Sequence, residues 1–361
     1  MRCFDSFATR DDAGEEYWCL ILEWLDASLY DVVRANGNRG LHLAMVRVML
    51  SQLLEQLSVL QEFDCTHTDI KHKNCCLADT RHFLLPASDR GRGTMILARP
   101  HAKLIDYGNA VFEGDRKAHP IHTKQFRAPE VLLNAAQGWG PPSDVWTLGV
   151  TAAFLLSGRL LFNSHEPGEL VRAMADALGP FPAALLAGAR DGRARRAAEQ
   201  ASAAARDPPR LAEQLGLGGF GEGTPEAACA DLVRRMLSLD PAERIDAKAA
   251  LRHPFLAAGL PALPQRPRGA ELRALRPSAP PAASASAPAA PEPAAPLTAA
   301  AGEGAARGEV SPRRSRLTRP GQSPAPAEKD ALSATGPRVL HHSSGAFPRE
   351  CLWVGGSGRE V

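Results

Sequence analysis

His67-Thr68-Asp69-Ile70-Lys71-His72-Lys73-Asn74 sets a carboxylate, an ammonium and a carboxamide within six positions. A second carboxylate, Asp106, comes 37 residues after Asp69, at the end of the extended run Ala102-Lys103-Leu104-Ile105 and ahead of Tyr107-Gly108. Phosphoryl transfer calls for such a set. One carboxylate orients the attacking hydroxyl and accepts its proton, and an ammonium offsets charge on the γ-phosphate. A second carboxylate and an amide oxygen hold Mg²⁺ on the phosphates. Because the transition state is loose, positioning and charge neutralisation supply most of the catalysis. Either cluster alone passes for ordinary loop polarity, since short motifs match by chance. In this order, with Arg127-Ala128-Pro129-Glu130 downstream, they do not.

Outward from this segment, residues 3 to 25 read as two short strands, Cys3 to Phe7 and Tyr17 to Leu22, around a polar turn at residues 10 to 14. Val46, Met49, Leu50, Leu53, Leu54, Leu57 and Leu60 recur at three- and four-residue steps and predict a long amphipathic helix. Asp79 to Pro100 reads as a turn-rich excursion. Helical patterns dominate from about 143 to 260: 144 to 156 is mostly apolar, 169 to 178 and 227 to 239 are amphipathic, and Asp246 is an N-cap before His253-Pro254-Phe255. The Ala-, Arg- and Gly-rich stretch 183 to 224 is poorly patterned and reads as a variable insertion. Within it, Gly216-Leu217-Gly218-Gly219-Phe220-Gly221 satisfies GxGxxG but has no strand pattern before it, so it is expected to be a flexible loop. Cys65, His67, His72, Cys75 and Cys76 match none of the usual zinc spacings.

Composition divides the chain near residue 260. Of its 361 residues, 12 are Phe, 5 Trp and 3 Tyr, and only Phe347 and Trp353 of these lie beyond that point, whereas 16 of the 30 prolines do. The last 101 residues lack the side chains that build a core and are expected to be disordered or extended. They carry 13 Lys/Arg against 8 Asp/Glu, and the first 260 carry 29 against 32, so a mildly acidic body joins a basic tail. Such a balance gives no reason to expect nucleic-acid binding by the body. No run approaches 18 apolar residues, so no membrane partner is expected. Seven cysteines without CxxC suit free thiols in a reducing, intracellular compartment.

Together HTDIKxxN, DYG, RAPE, Ser143-Asp144-Val145-Trp146-Thr147-Leu148-Gly149 and Asp240 to Phe255 resemble the C-lobe of eukaryotic protein kinases. The flavour is that of the LAMMER-type (CDC-like) kinases and the neighbouring SR-protein kinases, which share His-Thr-Asp where most kinases have His-Arg-Asp. Leu178-Gly179-Pro180-Phe181-Pro182 is similar to the segment after the LAMMER signature, although the signature itself is degenerate here. The resemblance implies an α+β, protein kinase-like fold with a mainly helical C-lobe and a truncated N-lobe sheet. Residues 1–25 would be the N-lobe remnant and hinge, 26–260 the C-lobe with the insertion at about 183–224, and 261–361 the tail.

It further implies Asp69 as catalytic base, Lys71 as phosphate-side cation, Thr123 bracing both, and Asn74 and Asp106 as Mg²⁺ ligands. Leu22 would be the gatekeeper, Glu23 and Leu25 would present hinge backbone groups to the adenine of ATP, and Cys76 would floor it. Glu130 and Arg244 would form a buried structural pair. The expected activity is that of a serine/threonine protein kinase, with dual specificity an open extension. The implied partners are protein substrates, Arg/Ser-rich ones among them, the form a monomer and the location nuclear or cytoplasmic, with the resemblance favouring the nucleus. Thr68 replaces the Arg that docks a phosphorylated activation loop, so control by loop phosphorylation is not expected. The first 70 residues contain no Lys, and the strand Lys and its partner Glu are needed for efficient transfer. The natural protein is expected to begin further upstream, the rival being a genuine half-lobe protein whose partner or tail covers the sheet edge; a pseudokinase-like binding scaffold is the alternative function.

Overall fold

The computed structural model describes residues 1–11, 14–86, 94–115, 121–205, 210–257 and 263–275, and the backbone of 338–339 and 351–355. Residues 1–278 and 336–361 form one compact unit, which holds every described residue. Its first element is an antiparallel hairpin, β1 (Cys3–Arg10) and β2 (Glu16–Leu22), with Ala8 opposite Trp18 and Phe7 opposite Cys19. Leu22 and Cys19 are its buried side chains; Phe4, Phe7 and Trp18 are exposed. After a short connection come β3 (Ala27–Ser28) and α1 (Leu29–Ala35). Ser28 and Asp31 cap α1 reciprocally, each satisfying an amide that the first turn leaves without a helical partner.

The long helix is α2 (Leu43–Glu62), and the predicted stripe faces inward: Val46, Met49, Leu50, Leu53, Leu54 and Leu57 are all buried. By length and composition it is long and apolar enough to cross a bilayer, yet Arg47, Gln52, Glu55 and Gln56 interrupt it and it holds no run of 18 apolar residues. The apolarity comes from packing in the core, between helix 141–157 on one side and a set of small strands on the other. These strands are β4 (Cys65–Thr66), β5 (Cys75–Leu77), β6 (His82–Leu85), β7 (Thr94–Leu97), β8 (Ala102–Leu104) and β9 (Val111–Phe112). They pair as β3-β5-β8, β4-β9 and β6-β7. The excursion expected at 79–100 is therefore a hairpin, with Phe83, Met95, Ile96 and Leu97 buried. Its alternation is too short to stand out from the turn residues around it.

Helices α3 (Pro129–Leu132), α4 (Pro141–Ser157) and α5 (Pro167–Leu178) come next along the chain. α4 is buried from Ser143 to Leu155, the signature of a helix enclosed on every side. It stops at Gly158, whose φ of +75° closes the end and where a Cβ would lie 2.4 Å from the carbonyl of Asn38. The stretch expected to be a poorly patterned insertion holds α6 (Ala183–Ala187), α7 (Gly192–Ala203) and α8 (Leu211–Gln214). Ala194, Ala198 and Ala201 form a narrow buried face on α7, and alanine stripes carry little hydrophobic contrast. Gly216 to Gly221 is loop, as expected.

Helices α9 (Pro225–Met236), α10 (Ala247–Leu251) and α11 (Pro254–Ala257) complete the lobe, with Asp246 capping α10. The tail expected from 261 departs from an unstructured chain in two places. Leu263, Ala270 and Leu275 pack against the core, and Arg273 exchanges two backbone hydrogen bonds with His82. Further on, β10 (Arg338–Val339) pairs with β11 (Cys351–Gly355), and β11 pairs antiparallel with β2.

Candidate active site

The centre of the site hangs from the core. Asp144, fully buried on α4, accepts the amide protons of His67 (2.6 Å) and Thr68 (3.0 Å). Burial pushes its carboxyl up to about 7. Thr68 takes φ +71°, a left-handed conformation uncommon for a β-branched residue. This bend is fixed by the two bonds to Asp144 and by the Thr68 hydroxyl, which donates to the carbonyl of Asn109 at 2.8 Å.

Beyond the bend, the predicted catalytic set converges. Lys71 Nζ lies 2.6 Å from Asp69 Oδ2 and donates to Thr123 Oγ1 at 3.2 Å, and Thr123 Oγ1 donates to Asp69 Oδ1 at 3.0 Å. Asn74 Nδ2 donates to the Asp69 carbonyl (2.9 Å) and carboxylate (3.1 Å), and it reaches Asp106 Oδ2 at 3.4 Å. Asp69 and Lys71 keep about a fifth of their side chains accessible, so this cluster opens to solvent while Asp144 beneath it does not.

Asp106 sits just past β8 with φ +68°. The residue before it is held on both sides: Ile105 N–H donates to the Asn74 carbonyl (3.0 Å), and His67 Nε2 lies 3.1 Å from the Ile105 carbonyl. Burial lowers the pKa of His67, which favours a neutral ring donating from Nε2. Asn74 Nδ2 is engaged by Asp69, so Oδ1 is the atom this amide offers to a cation, with the Asp106 carboxylate as the second oxygen donor. Two hard oxygens suit Mg²⁺, which takes one or two protein ligands and completes its shell with phosphate and water. The residues present therefore fit such an ion.

The residues expected to face adenine lie along β2 and β5. Leu22 is buried at the end of β2. The Glu23 carboxylate pairs with Lys103 and accepts the Arg2 amide at 3.0 Å, and the Lys103 hydrogen bond holds its pKa below the usual range. Leu25 is half-buried two residues on. Cys76 is buried on β5 between Ser28 and Lys103 on the flanking strands. Burial pushes its thiol up to about 12, so it behaves as a small apolar group. His72 is closed in by Tyr30, Phe126 and Phe154, and burial takes it down to about 4.

Glu130 and Arg244 form the expected buried pair, bidentate at 2.8 and 3.0 Å. Sequence reasoning missed three contributors: the suspending carboxylate of Asp144, the buried His122 beside it, and the Lys103 that binds Glu23. Asp144 had a signal, being the one charge between Pro141 and Ser157. A charge in an apolar helix is expected to have a partner.

Comparison with known proteins agrees with this geometry. A family model described as the protein kinase domain matches residues 1–256. The serine/threonine-protein kinase AFC2 of Arabidopsis thaliana is 33% identical over 257 residues, covering 66% of this chain and 59% of that protein. The human dual specificity protein kinase CLK1 is 30% identical over 243 residues (66% and 49%), and the mouse dual specificity protein kinase CLK4 is 30% identical over 259 (71% and 53%). The chain thus spans about half the length of the curated relatives it matches. Among solved structures, a kinase-domain crystal structure superimposes with a TM-score of 0.59 at 27% identity, covering 71% of this chain and 76% of that one.

Proposed function

This chain belongs to the protein kinase family, and we propose that it transfers the γ-phosphate of Mg-ATP to serine and threonine hydroxyls of proteins, in the manner of a LAMMER-like kinase. Asp69 is the base that takes the proton of the attacking hydroxyl. Lys71 offsets charge on the transferring phosphate, and Thr123 holds both in place. Asn74 and Asp106 hold Mg²⁺, which when bound neutralises the phosphate oxygens. The adenine lies against Cys76 and the backbone of Glu23 and Leu25, below Leu22. Residues 1–25 form the small-lobe and hinge part of this unit, and 26–260 the large lobe. Arg/Ser-rich proteins are the proposed substrates, with tyrosine hydroxyls as a second acceptor and the nucleus as the proposed location.

One observation carries the reading: five residues spread over 55 positions meet through a continuous set of hydrogen bonds around Asp69. Loop polarity gives no reason for that convergence. The test is transfer of radiolabelled phosphate from ATP to an Arg/Ser-rich peptide by the full-length gene product and by its Asp69→Asn variant. Transfer by the first and its loss in the second is expected; equal incorporation by both overturns the reading.

A further inference from the structure

Strand β8 is three residues long and ends two residues before Asp106. One of its edges pairs with β5, Cys75 opposite Leu104 and Leu77 opposite Ala102. On its other edge no strand lies among the described residues. Two glutamines one turn apart on α2 stand there instead. Ala102 N–H donates to Gln52 Oε1 at 2.8 Å, and Leu104 N–H donates to Gln56 Oε1 at 2.9 Å. Gln56 Nε2 donates to the Ala102 carbonyl at 3.0 Å and to the Gln52 carbonyl of its own helix at 2.9 Å.

A carboxamide that accepts from one strand residue and donates to the residue two before it supplies what a neighbouring strand would. Gln52 and Gln56 together close this edge, and Gln56 alone of the two holds both Ala102 and Leu104 to the helix. It also acts on register. A slip of β8 along β5 would break both Gln56 bonds to the strand at once, and the same slip would carry Asp106 away from Asn74. Asn74 Nδ2 stands 3.4 Å from Asp106 Oδ2, at the outer edge of hydrogen-bond contact, so a slip would separate the two residues, and metal-binding groups lose function when misplaced by more than about 0.5 Å.

We propose that Gln56 is a positioning residue for Asp106: its amide fixes the register of β8 and so the distance between the two Mg²⁺ ligands. The inference rests on the kinase reading above. Gln56→Met keeps the side-chain length and removes the amide, leaving the Ala102 carbonyl and Leu104 N–H without these partners. Gln61→Met is the control, since Gln61 Oε1 accepts the Ala247 amide at 3.1 Å and so secures α10 from the same helix. Binding of a fluorescent ATP analogue, mant-ATP, to the full chain is followed as Mg²⁺ is raised, beside thermal melting.

The Mg²⁺ needed for half-maximal binding is expected to rise about tenfold in Gln56→Met, the scale set by leaving buried polar groups unpaired. Gln61→Met is expected to melt earlier with an unchanged Mg²⁺ requirement. An unaltered Mg²⁺ requirement in Gln56→Met overturns the inference while the kinase reading stands. Wild-type chain that binds no mant-ATP at any Mg²⁺ concentration overturns both. If Gln56→Met does not fold, Gln56→Ser, which adds no apolar bulk and is too short to reach β8, gives the same readout.

Discussion

His122 and Asp144 are fully buried side chains whose nearest charged atoms lie 4.0 Å apart, and neither His122 nitrogen has a hydrogen-bond partner among the described residues. Burial, with the charges of Arg127 and Arg244, takes His122 from 6.5 down to about 3. Burial takes Asp144 from 3.8 up to about 7, against the two amide bonds from His67 and Thr68. Between about pH 4 and the ordinary histidine value of 6.5 the unfolded chain therefore carries its proton on the imidazole, and the folded chain carries one on the carboxyl. Equal proton counts mean that the pair contributes no slope to stability across this window. Above this window the wild-type pair loses stability as pH rises from 6.5 through about 7, where Asp144 ionises in the fold. In His122→Asn, a residue that tolerates the φ of +66° found there, only the Asp144 proton remains. Its folded pKa is raised, so its contribution is fully present below 3.8 and is lost as pH rises toward about 7. The variant should then lose about 1.4 kcal/mol per pH unit relative to wild type, roughly 3 kcal/mol between about pH 4 and about pH 6.5. Urea denaturation of both proteins at half-unit steps measures the difference, and the other buried histidines, common to both, cancel. Parallel stability curves for the two proteins over that window would refute the reasoning.

Thr123→Val removes the hydroxyl that joins Asp69 to Lys71 and should lower kcat by about tenfold to a hundredfold, the scale of a hydrogen bond to a charged group. Thr123→Ser should stay near wild type, and a steady-state assay in which Val matches Ser would remove Thr123 from the site. Arg244→Leu leaves the Glu130 carboxylate buried without its bidentate partner and should destabilise the fold by about 3–5 kcal/mol in urea titration. A loss below about 1 kcal/mol would mean that Glu130 finds water or another cation.

Much of the candidate site was legible because it is local or ordered along the chain. Asp69, Lys71 and Asn74 lie within six positions, and the helix that backs them shows its stripe at a period that only α2 explains. Thr123 and Asp106 were reachable through motifs a few residues long. The hairpin of β6 and β7 was hidden because each strand has four residues, too few to separate alternation from turn chemistry. Helix α7 was hidden for another reason: alanine faces bury without announcing themselves by hydrophobic contrast. The tail packing of Leu263 and Leu275 lies among prolines, where composition argues for extension and only contact with the core decides otherwise.

Hidden most thoroughly in the sequence is the support of the site, and the reason is separation along the chain. Asp144 reaches back 77 positions to the His67 amide, and Gln56 reaches forward 48 to that of Leu104. Each is a polar residue whose own neighbourhood explains nothing, one buried in an apolar helix and one on the flank of another. The strained residues obey the same logic. Thr68 and Asp106 both take left-handed backbone conformations, which cost of order 1–3 kcal/mol each unless the surroundings over-determine them. At Thr68 the surroundings are Asp144 and the Asn109 carbonyl; at Asp106 they are the bonds to Ile105 on either side and the clamp on β8. The candidate site is thus set by two bends that the local sequence would not adopt alone. Both bends are held by side chains from helices that otherwise build the core, so changes in α2 or α4 reach Asp69, Asn74 and Asp106 without touching them.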